Sequence, residues 1–146
     1  MITPDDLVDL VIDLRATALD EPRIRCAIGR AYYAAYHYCL HAANNWCGPL
    51  ALYERVNKGT HEQLYLRLQG HSKFASLDTD LRTIAEHAKK LRNLRVTCDY
   101  HLERDVNTKD LDRGVQYMRR VQIGFEQIRT KAPFINKGIN LISNSV

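Results

Sequence analysis

The residues best suited to chemistry crowd into one stretch, LRNLRVTCDYH from Leu91 to His101, and into the two lysines just before it. Lys89, Lys90, Arg92 and Arg95 all fall within seven positions. An arginine keeps its charge at every working pH and offers a planar fork of donors that fits a phosphate, while a lysine adds a mobile point charge. A histidine such as His101 can take up or release a proton near neutral pH, at a hydroxyl or at a leaving oxygen, with no metal. These types together suit the holding of an anion and acid–base work on it. Arg95 follows Leu91 by four residues, in phase with an apolar seam, so its guanidinium faces inward and needs a partner. Asp99, four residues on, stands at the spacing of a helical ion pair, and Tyr100 adds a hydroxyl beside it.

Other reactive residues are less concentrated. His37 and His41 lie one helical turn apart, but no acid or thiolate at matching spacing completes a ligand set, so neither a metal nor a cofactor is predicted. Cys26, Cys39, Cys47 and Cys98 contain no CxxC pair and read as buried thiols rather than as a zinc ribbon or a disulfide framework. In RAYYAAYHY, Ala31, Ala34 and Ala35 let helix backbones approach, and Tyr32, Tyr33, Tyr36 and Tyr38 surround the helix with groups apolar at the base and polar at the tip. Two readings stay open there: bundle core with a dimer face, or a tyrosine cluster that stacks nucleobases.

These residues need elements to position them, and the helical period supplies the elements throughout the 146-residue chain. Thr3 and Pro4 start a first helix whose face is Leu7, Leu10, Val11 and Leu14, ending near Ala18. A long second helix starts after Asp20 and carries Ile24, Ile28, Ala31, Ala35, Tyr38 and Ala42 at steps of three and four, the spacing of a bundle seam. It stops at Cys47, before Gly48 and Pro49. A connection follows, with a turn at Ala51 to Arg55 and a short helix over His61 to Leu68 opened by a Thr60–Gln63 capping box. A third long helix bears Leu77, Leu81, Ile84, Ala88 and Leu91. The last, capped by Asn107 or Thr108, bears Leu111, Val115, Met118, Val121, Phe125 and Ile128 and ends at Pro133. The prediction is an all-α, four-helix up-and-down bundle with a short extra helix between its second and third long helices. It spans residues 1–132, followed by a tail, 133–146.

Composition bounds the function classes. Apolar residues at 45% and charged residues at 26% are the balance of a folding globular domain, not of a disordered or fibrous chain. The first residues, MITPDDLVDLVIDL, carry acids where a signal peptide carries basic residues, and no apolar run approaches the roughly 20 residues of a membrane span. A cytoplasmic location without membrane contact is expected. The net charge of +4 favours an anionic partner weakly, and the clustering of the basic residues favours it more.

The segments RCAIGRAYYAAYHYCLHAA (Arg25 to Ala43) and LRNLRVTCDYHL (from Leu91) resemble, in order and spacing, the small prokaryotic HEPN proteins, in which a helix similar to RAYYAAFH precedes one ending in a pattern similar to LRxxRxxADY. The resemblance covers roughly Asp5 to Thr130 as a helix pattern and is specific at those two segments. It implies a four-helix bundle, a homodimer, and pairing with a small nucleotidyltransferase antitoxin in toxin–antitoxin systems. It also implies a site. Family members that cut RNA carry an arginine followed, after four to six residues, by a histidine in a cleft between protomers, and Arg95 and His101 have that spacing. Arg95 would then hold phosphate and stabilise its charge, and His101 would act as general acid or base, while Lys89, Lys90 and Arg92 attract the RNA backbone, with Asp99 and Tyr100 as support.

Three functions follow as expectations: a metal-independent endoribonuclease of the toxin class, a non-catalytic HEPN module that binds a nucleotidyltransferase or a nucleotide, or a structural helical dimerisation subunit. Two departures from the ribonuclease pattern are visible: Val96 follows Arg95 where the family carries a polar residue, and Glu103 stands where some toxins carry a tyrosine that the partner modifies. On a straight helix, moreover, positions six apart point about 240° apart. Either the helix loosens near Cys98, or the partner chain completes the pair.

Overall fold

The computed structural model describes the backbone of residues 1–17 and 20–144 and the side chains of these residues as far as Ala132. Six α-helices and one 3-10 turn account for the architecture: α1 (Pro4–Thr17), α2 (Glu21–Trp46), α3 (Leu52–Arg55), α4 (Thr60–Gly70), the 3-10 turn Ala75–Leu77, α5 (Asp78–Tyr100) and α6 (Thr108–Asn144). Among the described residues there is no strand, only one isolated bridge between Cys47 and Ser72.

The helix starts follow from local side chains. Thr3 Oγ1 accepts from Asp6 N while Asp6 accepts from Thr3 N, and Asn107 Oδ1 accepts from Asp110 N while Asp110 accepts from Asn107 N. Both are reciprocal caps that satisfy otherwise orphaned N–H groups. Asp20 caps α2 through Arg23 N. For α4 the expected Thr60–Gln63 box does not form: Gly59 is the N-cap, no side chain caps it, and Gln63 Nε2 instead donates to Lys58 O. Thr60 is already helical there, so its hydroxyl lies one position too late to receive the N–H of the third residue of the turn.

α2 is the central element and packs on α1, α4, α5 and α6, and α5 in turn packs on α6. Its seam residues Ile24, Ile28, Ala31, Ala35, Tyr38 and Ala42 are all buried, as are Leu77, Leu81, Ile84, Ala88 and Leu91 leading into and along α5. In α6, Leu111, Met118, Val121 and Ile128 are buried, with Val115 and Phe125 packed against the core. Gly124 permits a close approach of α6 to α5, since a Cβ there would stand 2.5 Å from the Ile84 side chain. In α1 the apolar face is rotated from the expected one: Val8 and Val11 are buried, but Leu10 is 43% exposed. A single helix lying on the outside of the molecule buries a stripe narrower than its full set of apolar residues.

The end predicted at Pro133 is not where α6 ends; the helix continues to Asn144. A proline within a helix removes one donor, the one that would reach the carbonyl four residues back, and the remaining ladder can carry the backbone past it. The side chains of the expected tail, 133–146, lie outside the described residues. No described helix is long and apolar enough to cross a membrane.

Candidate functional site

α5 carries the predicted residues, and it is helical without interruption to Tyr100. The helix therefore does not loosen at Cys98, and Arg95 and His101 leave it in different directions. Arg95 is four-fifths buried, with its Nε 3.4 Å from Asp99 Oδ2 and its guanidinium over the Tyr32 ring, 5.2 Å from the ring centre. The ion pair expected at four-residue spacing is present. Asp99 remains 45% exposed, so the pairing is a half-solvated one of modest strength.

His101 closes α5 from outside. Its N–H donates to Thr97 O at 3.1 Å, and its φ of −118° and ψ of 68° end the helical path. Its imidazole is 42% exposed and approaches Glu103 Oε1 at 3.2 Å. Glu103 thus sits against the histidine, and hydrogen bonds of its own backbone and of His101 hold its carboxyl below the usual range. Tyr100 is 70% exposed. Among the described residues no hydrogen bond or ion pair runs directly between Arg95 and His101 within one chain.

The end of α5 is instead organised by Arg25, on α2. Its Nη1 donates to Cys98 O at 2.9 Å and, more weakly, to Thr97 O at 3.3 Å and His101 O at 3.4 Å, and its Nη2 donates to Arg104 O. Glu21 Oε1 fixes the other edge of the guanidinium at 2.7 Å and also accepts from Val106 N at 3.2 Å. A cation on exposed helix-terminal carbonyls is favoured by both hydrogen bonding and the helix dipole. Arg25 thereby positions the loop that bears His101. Nothing in the local sequence pairs it with residues so far along the chain, so sequence reasoning missed it.

The basic run divides between two faces. Lys89 and Lys90 are exposed. Lys90 and Arg120 bear on His87, whose pKa is pushed down first by burial and then by these charges. Arg92 and Arg95 turn the other way, toward α2 and α4. There Arg95 forms the wall between two small cavities. One, of about 330 Å³, is polar and contains Arg25, Arg30, Tyr33 and Asp99. The other, of about 270 Å³, is lined by Tyr32, Tyr33, Tyr36, Thr60, His61 and Arg95.

The second cavity contains a histidine that sequence reasoning passed over. His61 lies in the first turn of α4, its ring 4.8 Å from that of Tyr36 and 5.5 Å from that of Tyr32. Its Nδ1 is hydrogen-bonded to the Tyr32 hydroxyl, which meets the Tyr65 hydroxyl at 2.8 Å. Burial, then Arg92 and Arg95, lower the His61 pKa, so the ring is neutral at neutral pH. Burial raises the Tyr32 and Tyr65 pKa values, so both keep their protons. The clue in the sequence was a histidine in the first turn of a short helix.

His37 contacts Tyr33 and Tyr36 through its ring. Among the described residues no group of three or more His, Cys, Asp or Glu side chains is placed to hold a metal. No family model, curated protein or solved structure matches this chain.

Proposed function

We propose that the chain is a HEPN-type, up-and-down four-helix bundle that acts on RNA in the cytoplasm as a homodimeric, metal-independent endoribonuclease. The observation that carries the reading is the placement of Arg95: a guanidinium held by Asp99 and by the face of Tyr32, on the wall of two surface cavities and next to Arg25 and Arg30. Such a preset arginine holds a phosphate and stabilises its charge as a ribose 2′-hydroxyl attacks phosphorus and the P–O5′ bond breaks; the 2′-hydroxyl gives up its proton and the leaving 5′-oxygen gains one, one transfer running through the histidine and the other through water. Since α5 is unbroken, the histidine that serves Arg95 comes from the second protomer. His101 is accessible and is flanked by Tyr100 and Leu102, which are 70% and 75% exposed and suit a contact with another copy.

The decisive experiment is complementation. Wild-type chain cleaves single-stranded RNA in EDTA, while Arg95→Ala and His101→Ala are each inactive. Mixing the two variants restores cleavage, because a hybrid dimer contains one site with both residues. No cleavage by clean wild-type protein at high concentration rejects the nuclease. Inactivity of the mixture, with dimers present, rejects the composite site.

A second reading is favoured by the Glu103 contact on His101 and the separation of His101 from Arg95. In it the bundle is a non-catalytic module that docks a nucleotidyltransferase antitoxin. His101→Ala would then retain partner binding and change no activity.

A further inference from the structure

We propose that the cavity between α2, α4 and α5 is a mononucleotide subsite, with phosphate on Arg95 and the first turn of α4 and the base against Tyr33, Tyr36 and His61. The inference deepens the RNA reading by naming where one nucleotide sits, and it holds whether or not the chain cleaves.

The hydrogen-bond chain decides what His61 offers. Among the described residues the Tyr65 hydroxyl has one partner, the Tyr32 hydroxyl. A buried hydroxyl proton is costly to leave unused, so Tyr65 donates to Tyr32. Tyr32, accepting from Tyr65, keeps its own single proton for its other partner, His61 Nδ1, which then accepts. The neutral ring therefore carries its proton on Nε2, which has no partner among the described residues and is not sealed from solvent. His61 is thus a fixed N–H donor, not a base.

The other polar groups agree in sign. Arg95 is a permanent cation, Thr60 has a hydroxyl, and the first turn of α4 has no side-chain cap, which leaves backbone N–H groups and the positive helix end for an anion. No carboxylate is among the described residues lining this cavity, in contrast to its neighbour, which contains Asp99. Three tyrosine rings and an imidazole give the planar surfaces on which a base stacks. The volume of about 270 Å³ lies just below the roughly 300 Å³ at which drug-sized pockets begin, which suits one nucleotide unit and excludes a duplex.

The test uses the full chain with AMP, adenosine, ribose 5-phosphate and a short single-stranded oligoadenylate, by calorimetry and by NMR. AMP binds, and removing either its base or its phosphate weakens binding at least about tenfold, which is about 1.4 kcal/mol. Arg95→Ala, His61→Phe and Tyr36→Ala each weaken AMP to a similar degree, and Arg129→Ala on an exposed face of α6 does not. An oligoadenylate that binds more tightly than AMP, with a salt-dependent gain, identifies an RNA strand as the occupant; equal affinities identify a free nucleotide. Should a variant fail to fold, the wild-type spectrum still decides, because His61 must appear as the Nε2–H tautomer and shift on adding AMP. No AMP or oligoadenylate binding at millimolar concentration, an Nδ1–H tautomer, or shifts confined to the His101 loop overturns the subsite. AMP binding without RNA cleavage would leave the subsite standing and remove the nuclease; cleavage unaffected by His61→Phe and Tyr36→Ala, with no AMP binding, would do the reverse.

Discussion

Two imidazoles compete for Arg95, and they differ in how the molecule holds them. His101 is six positions away in sequence, at the open end of α5, with a half-exposed ring whose hydrogen-bond partner among the described residues is Glu103. His61 is far away in sequence, on α4, yet lines the same cavity as Arg95 and is held by the Tyr32 hydroxyl, which is itself fixed by that of Tyr65. The residue near in sequence shares neither of Arg95's cavities, and the residue far in sequence shares one. A helix turns by about 100° per residue, so it sends neighbours apart as readily as it brings residues four apart together, whereas packing of separate helices brings in a partner from anywhere.

The largest disruption of this contrast is at Arg25, which builds the His101 end. Arg25→Ala leaves the last carbonyls of α5 without their cation and is expected to cost about 2–4 kcal/mol in urea denaturation, with faster amide exchange in residues 101–107. An unchanged midpoint would mean that the loop does not depend on its clamp. Next is Tyr32→Phe on the other side. It strands His61 Nδ1 and the Tyr65 hydroxyl and should destabilise by about 1–3 kcal/mol; it also frees the His61 tautomer, which nitrogen shifts would report.

pH sharpens the comparison further. His61 faces Tyr32 and Tyr36 on α2, with Tyr65 of its own helix behind Tyr32, and the charges of Arg92 and Arg95 on α5, and it is held below the usual histidine value. As pH falls below about 6.5, the unfolded chain takes up this proton before the native one, so native stability drops on acidification and is unaffected above that range. His87 contributes with the same sign. His61→Phe should therefore flatten, without abolishing, the loss of stability between pH 7 and pH 5. The smallest effect on stability belongs to His101→Ala, within about 0.5 kcal/mol for so exposed a side chain, while the proposed nuclease reading requires that RNA cleavage disappear. A large stability loss there would show that the histidine is structural.

The sequence by itself determined the helices and most of their buried faces. The three- and four-residue steps in α2, α5 and α6 reappear as buried seams, and Thr3 and Asn107 cap where a short polar side chain precedes a run of helix formers. These are local properties, written in spacing and in groups a few bonds apart. The Arg95–Asp99 pair belongs with them. Only the structure decided the start of α4 at Thr60, the continuation of α6 past Pro133, and the exposure of Leu10; the last depends on which stripe of α1 its neighbours cover. It alone decided that Lys89 and Lys90 face away from Arg92, that Arg25 clamps the His101 loop, and that His61 is the imidazole beside Arg95. Those contacts join residues far apart in the chain, and a one-dimensional period carries no information about the distance between separate helices.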